Sequence, residues 1–320
     1  MGFVSFVVTM PSVAVIDIGS NSIKILVAGR AANGGVEVLK YRTIDTRISA
    51  GISSATPRLA EDGMARGLEA IRALLADAAP FSPARTVLVA TSAVRDATNG
   101  PEFRERVLAA TGQTIRILTG DEEANLIGRG LTCDPALATL RDFYVFDLGG
   151  GSLECLKFRD RQVTQAVSLQ LGCVRLTEKF LPDPAAPFTA ESAQRIATHC
   201  ADALSQSGFE FNLPSGSVAV GTGGTVTTVR TILAARRGVG LEATAPDVDL
   251  ATLRSLLHEI GALPLATRRQ VPGLPAARAD VFPTALATLI ALAERGRFTS
   301  FRHSLFNLRY GLVAEALAAK

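Results

Sequence analysis

The chain has 320 residues, 48% of them apolar and 20% charged, a balance that suits a large folded core and excludes a disordered chain. Lysine and arginine total 33 against 30 acidic residues, and the +3 charge is spread along the chain, so no basic tail marks nucleic-acid or membrane binding. Only five of the 33 basic residues are lysine; the arginine surplus fits either genomic base composition or a multi-phosphate ligand.

Taken in chain order, Met1 to Met10 is apolar, but it lacks a preceding basic residue and a small-residue cleavage signal, so it does not read as a secretory leader. Met10 is an alternative start, with the nine residues before it an over-extended gene start, a short extra strand or a tail. Residues 13–29 (VAVIDIGSNSIKILVAG) predict a strand ending at Asp17, a turn of Gly19, Ser20, Asn21 and Ser22, and a second strand over 23–27. A third strand is predicted at 36–41. Met64, Leu68, Ile71 and Leu75 recur at helical spacing. Residues 86–91 read as a buried strand; Arg95, just beyond it, either reaches into a cleft to take a phosphate or pairs at the surface with Asp96. Phe103 and Val107 share a face after Pro101, a helix start.

Residues 115–130 (IRILTGDEEANLIGRG) predict a short strand, a turn at Gly120 and a helix to about Leu131, capped by Thr119 or Asp121. Glu122 and Glu123 fall in its first turn. There they either favour the helix dipole or, in the case of Glu123, act as general base on water attacking phosphorus. The position between two halves of the chain favours Glu123 for that role.

Residues 144–158 (YVFDLGGGSLECLKF) repeat the opening pattern: a strand ending at Asp147, a turn of Gly149, Gly150, Gly151 and Ser152, then a second strand. A third strand follows at 163–169. Asp17 and Asp147 lie 130 residues apart, about one domain, so two similar α/β halves are expected to face each other. Turns without bulky Cβ groups let backbone N–H groups approach an anion, and an aspartate at the strand end suits Mg²⁺, the usual companion of phosphate chains. A third cluster, Gly221, Thr222, Gly223, Gly224 and Thr225, follows a strand at 218–220 and opens a helix over 226–235, another anion site but not a Walker A loop.

Further on, Leu253, Leu256, Leu257 and Ile260 form a helical stripe, 272–275 is a loop, and a long helix from about Arg278 is expected to kink at Pro283. The apolar run 281–293 is too short to span a bilayer. A last helix covers 308–319. Cys133, Cys155, Cys173 and Cys200 form no C-x-x-C pair and read as reduced, mostly buried thiols of a cytosolic protein. His199, His258 and His303 lie far apart and read as surface or satisfied histidines rather than ligands.

Together, DIGSNS at 17–22, TSAVRDATN at 91–99, TGDEEA at 119–124, DLGGGSLE at 147–154, LQLGCVRLTE at 169–178, GTGGT at 221–225 and GLPAARADVFP at 273–283 resemble the exopolyphosphatase / guanosine pentaphosphate phosphohydrolase family of the actin-like superfamily. The resemblance spans nearly the whole chain. It implies two actin-like (ribonuclease H-like) α/β domains, each a mixed sheet flanked by helices, around a cleft: 1–130 with the C-terminal helix 308–320, and 131–307. The implied activity is hydrolysis of terminal phosphoanhydride bonds of inorganic polyphosphate in the cytoplasm, by a homodimer. Glu123 would be the catalytic base, and Asp17, Asp147 and Glu154 would hold Mg²⁺ or another divalent ion. Both hairpin turns, Arg95 and the 221–225 loop would bind phosphates. Guanosine pentaphosphate is the alternative substrate. A small-molecule kinase of the same superfamily and a non-catalytic polyphosphate or alarmone sensor are the rival readings.

The chain departs from the family pattern in two places, reading Arg47-Ile48-Ser49 where Arg-Leu-Gly is common, and Asn307 where glycine is common, a change expected to be tolerated at a positive φ. It resembles the short two-domain form, without the further helical region of longer members.

Overall fold

The computed structural model describes residues 11–32 and 34–318, so the expectations for Met1 to Met10 lie outside the described residues. The opening repeat folds as three antiparallel strands, β1 (Val13–Ile18), β2 (Ser22–Arg30) and β3 (Val36–Asp45). After helix α1 (Glu61–Ala78) come β4 (Arg85–Ala90), the short α2 (Ser92–Asp96), α3 (Gly100–Thr111) and β5 (Ile115–Ile117). β4 and β5 add in parallel beside β1, giving a sheet of order β3-β2-β1-β4-β5. The α1 stripe packs Met64, Ala70, Ile71 and Leu74 into the core, each large apolar side chain contributing about 1.5–3 kcal/mol on burial.

Helix α4 (Gly120–Thr132) leads into the second copy: β6 (Phe143–Leu148), β7 (Leu153–Arg159), β8 (Gln162–Leu169), α5 (Cys173–Phe180), α6 (Ala190–Gln206), β9 (Val218–Thr222) and α7 (Gly224–Arg237). There follow β10 (Asp247–Asp249), α8 (Leu250–Gly261), α9 (Leu265–Arg268), α10 (Phe282–Gly296), β11 (Ser300–His303) and α11 (Leu308–Ala318). The second sheet has the order β10-β11-β9-β6-β7-β8. Read from β8, it repeats the first sheet strand for strand, with β10 as an added antiparallel edge. This is the doubled ribonuclease H-like topology that the actin-like resemblance implies.

Alternation along the central strands places the site. On β1, Ala14, Ile16 and Ile18 join one core cluster, whereas Val13 and Val15 join another that holds α4 and α11; on β6, Tyr144, Phe146 and Leu148 separate in the same way from Phe143 and Val145. The two helices therefore fill the layer between the sheets. Asp17 and Asp147 follow the second parity and face that layer at the strand ends, beyond its apolar packing.

Three expectations change. Pro283 stands in the first turn of α10 and starts the helix instead of kinking it, because a proline there lacks only an N–H that would be unbonded anyway. The helix after the third glycine cluster begins at Gly224, two residues earlier than its hydrophobic pattern. Asn307 is not in the left-handed region, whereas Arg47, at the other departure from the family pattern, is one of the five described non-glycine residues that are, at φ 45°. Asn307 instead precedes α11, and its carbonyl accepts from Tyr310 and Gly311, while its side-chain oxygen is buried without a partner. Among the described residues no helix is long and apolar enough to cross a membrane, and the four cysteines are unbridged, three of them buried.

Candidate active site

The two hairpin turns meet face to face. A Cβ on Gly150 would lie 2.8 Å from Ser20 Cβ, and one on Gly151 would lie 2.2 Å from Ser92 Oγ. Only bare backbone permits that approach. The Ser20 and Ser92 hydroxyls, 3.1 Å apart, close the contact from the first half. From the second half, Arg175 donates to the Gly151 carbonyl (3.0 Å), the Ile52 carbonyl (3.2 Å) and Asp96 (2.5 Å). On another edge Arg47 grips Asp280 with both nitrogens, at 2.7 and 2.8 Å, and the Glu178 carboxylate accepts from the backbone of Gly51 and Ser53.

Between the turns lies a narrow crevice of about 70 Å³. Its walls carry four carboxylates: Asp17 and Asp147 at the ends of β1 and β6, Glu154 on β7 and Glu123 on α4. The capping choice settles how the two adjacent glutamates divide. Thr119 caps α4, accepting from Glu122 N at 3.2 Å, while the Glu122 carboxylate accepts from Thr119 N at 2.8 Å and pairs with Arg116. Glu122 is thus used by the helix end, and the next side chain, Glu123, turns inward and is 6% exposed.

Burial pushes the Glu123 carboxyl up to about 7, against the pull of Arg95, with Asp17 and Asp147 adding to the rise. Asp147 is raised to about 6 by burial, moderated by Lys24 and Arg309. Glu154 is raised well above the usual carboxylate range by burial and then by the charges of Glu123 and Asp147, though it accepts a hydrogen bond from Ser168 at 2.8 Å. A base titrating near neutrality beside crowded carboxylates is what proton abstraction from water requires.

Most of the residues singled out in the sequence reach this crevice: Gly19, Ser20, Asn21, Ser22, Gly149, Gly150, Ser152, Gly223 and Gly224 line it with the four carboxylates. Asn21 is buried, and both atoms of its side-chain amide lack a partner, so the turn holds an unsatisfied polar group at the crevice wall. Others lie elsewhere. Gly151 is turned towards Ser92 and Ser20. Arg95 stands behind Glu123, donating to its carboxylate at 2.8 Å and to the Leu118 carbonyl at 3.1 Å. Gly221 sits inside β9 between Phe146 and His303, and Thr225 is fully buried. Thr222 lines a neighbouring cavity.

That cavity, of about 500 Å³, shares Ser22, Lys24, Gly223, Gly224, Arg278 and Asn307 with the crevice and so continues from it. It brings in cations that the sequence reading passed over. Lys24 lies opposite Asp17 in the β1–β2 register, the place that Glu154 holds opposite Asp147. Superposing the repeats would have exposed this exchange of charge. Arg278 packs against Gly224, and Arg309 donates to Asp17 at 3.1 Å while lying 5.4 Å from the Tyr41 ring.

Among the described residues no three His, Cys, Asp or Glu side chains gather as a metal-ligand set. Mg²⁺ asks for less, since one or two carboxylates suffice when water and phosphate oxygens complete its shell. Asp147 and Glu154 fit that demand: they face each other across β6 and β7, and their raised proton affinities mark buried carboxylates short of a matching cation. Asp17 is already matched by Arg309 and, at 4.0 Å, by Lys24.

Comparison with known proteins places the chain in a family. The model of the Ppx/GppA phosphatase family matches residues 26–320. Among solved structures, the chain is similar to an exopolyphosphatase from Cytophaga hutchinsonii, with 20% identity and a TM-score of 0.86 over 96% of this chain and 97% of that one. It is also similar to the Aquifex aeolicus member of the Ppx/GppA family, with 26% identity and a TM-score of 0.74 over 96% and 98% of the two chains. With a family match over nearly its whole length and the same doubled fold, the chain belongs to the Ppx/GppA phosphatase family.

Proposed function

We propose that the protein hydrolyses the terminal phosphoanhydride bond of inorganic polyphosphate and releases orthophosphate. One observation carries the reading: a buried glutamate poised near neutrality faces a narrow crevice whose walls are two glycine hairpins and a pair of unmatched carboxylates. The turns supply backbone and hydroxyl donors to the terminal phosphate, and the Asn21 amide gains the partners it lacks. Glu123 takes a proton from water as the water oxygen bonds to phosphorus, the bridging P–O bond breaks, and the shortened chain leaves as the anion. A divalent ion at Asp147 and Glu154 would neutralise charge on the phosphate oxygens, the main requirement of a phosphoryl transition state. Arg95 keeps the Glu123 carboxylate aimed through Nη1.

Guanosine pentaphosphate is favoured by a second observation. The adjoining cavity has room for more than a phosphate chain and carries Tyr41 and Tyr310 at its wall, aromatic faces on which a base can stack. Phosphate release from polyphosphates of several lengths and from pppGpp, with Mg²⁺ present or chelated, tests both readings. The wild type is expected to release phosphate only with the divalent ion, and Glu123→Gln to release almost none. Undiminished release by that variant would move the base elsewhere, and ATP use that depends on an added sugar or acid would point to a kinase.

A further inference from the structure

Behind the third glycine loop runs a line of directed hydrogen bonds that the hydrolytic step does not use. Arg230 on α7 is buried, and its guanidinium is committed to the protein. Nε donates to Thr244 Oγ1 at 3.1 Å, and Nη2 to the carbonyls of Leu241 and Thr244 at 2.9 Å each. Nη1 lies 2.7 Å from Nδ1 of His303, at the end of β11.

An arginine nitrogen can only donate, so Nδ1 of His303 is the accepting nitrogen and the ring proton sits on Nε2. Burial and the charge of Arg230 lower the imidazole to about 4, which keeps it neutral. Nε2–H therefore donates to Thr227 Oγ1 at 3.0 Å, and the threonine hydroxyl donates to the Gly223 carbonyl at 2.8 Å. Arg230 can only donate, the Gly223 carbonyl can only accept, and the imidazole and hydroxyl between them each have one proton to give, so the direction is fixed from Arg230 to Gly223.

The line ends where the backbone is special. Gly223 has a φ of 86°, and a Cβ there would fall 2.3 Å from Asp147 Oδ1. Gly223 and Gly224 line both the crevice and the adjoining cavity. A trans peptide carries its C=O and N–H on opposite sides. A Gly223 carbonyl drawn towards Thr227 therefore turns the Gly224 N–H the other way, out of the first turn of a 14-residue helix.

We propose that Arg230, His303 and Thr227 are positioning residues that hold the Gly223–Gly224 peptide with its N–H presented to the non-terminal phosphates of the substrate. This rests on the phosphate reading of the crevice and adds a specific claim to it: grip on the chain, and not the bond-breaking step, depends on these three side chains.

The test is steady-state phosphate release from polyphosphate together with calorimetric binding of tripolyphosphate, using the full chain as wild type, Thr227→Val, Thr227→Ser and His303→Phe. Valine keeps the threonine shape and removes only the hydroxyl. Thr227→Val and His303→Phe are expected to raise KM and weaken tripolyphosphate binding roughly tenfold with kcat nearly unchanged, because contacts to phosphates that do not react act on binding alone. Thr227→Ser restores both. A merely structural role would lower the melting temperature and the active fraction while leaving KM in place. Unchanged KM and affinity in Thr227→Val, or a Thr227→Ser as impaired as the valine variant, overturns the positioning role and leaves the hydrolytic reading standing. A wild type that neither binds tripolyphosphate nor releases phosphate overturns both.

Discussion

Removing the charge of Glu123 is expected to strengthen the fold while abolishing the reaction, and the size of the effect follows from the opposition of two forces. Burial raises the carboxyl from 4.5 to about 7, whereas the Arg95 guanidinium, 2.8 Å away, pulls it down. Because the folded value exceeds the unfolded one, the native state keeps a proton that the unfolded chain has already released between those two values. Stability from this group is therefore complete below 4.5 and is lost as pH rises through about 7. At about 1.4 kcal/mol per pH unit, the ionised carboxylate costs the fold about 3 kcal/mol at pH 8 and under about 1 kcal/mol at pH 5. Glu123→Gln carries no such charge. Urea unfolding of both proteins in chelator should show the variant gaining about 2 kcal/mol over wild type between pH 5 and pH 8. The wild-type kcat should rise through the same window as the base ionises. A stability difference that does not change with pH, or one that favours wild type more as pH rises, would mean that Arg95 wins and the base is already ionised in acid.

Three further outcomes follow from the same geometry. Gly151→Ala places a Cβ 2.2 Å from Ser92 Oγ and 3.1 Å from Ser92 Cβ; the Ser20–Ser92 hydroxyl contact must break and the second turn must back away, so phosphate release is expected to fall by up to about a hundredfold, since a misplacement of about 1 Å can cost that much, with a crystal structure showing the shifted turn. Asp280→Asn weakens the Arg47 pair, whose side chains are 28% and 25% exposed, so stability should change by no more than about 1 kcal/mol. KM should nevertheless rise a few-fold and the solution radius of gyration increase, because the pair joins the two halves. Thr119→Ala removes the cap of α4 and is expected to cost about 1 kcal/mol and to lower kcat more than it raises KM, because the same turn aims Glu123; equal effects on both would disconnect the cap from the base.

The sequence makes the repeat legible because it carries the same small residues after the same aspartate twice, and a strand–turn–strand is a local object. Glu123 is legible from its position between the two halves, whereas the sequence leaves the cap open between Thr119 and Asp121, and it is the structure's choice of Thr119 that divides the two adjacent glutamates. Lys24 escaped notice because its counterpart in the second copy is Glu154, so the repeat is strongest where the chemistry matches and silent where it diverges. Arg278, Asn307 and Arg309 come from distant parts of the chain, and only the packing of α11 and the loop before α10 brings them to the first hairpin. Nothing in their neighbours' types announces it. Pro283 was misread because a proline that starts a helix and one that kinks it look alike when the preceding cap is weak; Val281 offers no side-chain bond to mark the boundary.

The placement of α4 explains why the proposed base sits on a helix while the proposed phosphate contacts sit on turns. Ala124, Ile127 and Leu131 on α4 pack in one cluster with Val13 and Val15 of the first sheet, Phe143 and Val145 of the second, and Leu308, Leu312 and Val313 of α11. A helix clamped on both sides is held by both halves at once, and this packing fixes the place of Glu123. The turns have a different need: they meet at contact distance across the crevice, and bare glycine edges let them do so with no side chain in between. Fixing the proposed proton acceptor in a packed layer and leaving the proposed anion donors at strand ends preorganises the one and leaves the others open to the crevice. The Arg175 side chain joins the two, with one donor on the Gly151 carbonyl and another on Asp96 beside Arg95. The second hairpin is thereby linked, through side chains in contact, to the guanidinium that pairs with Glu123.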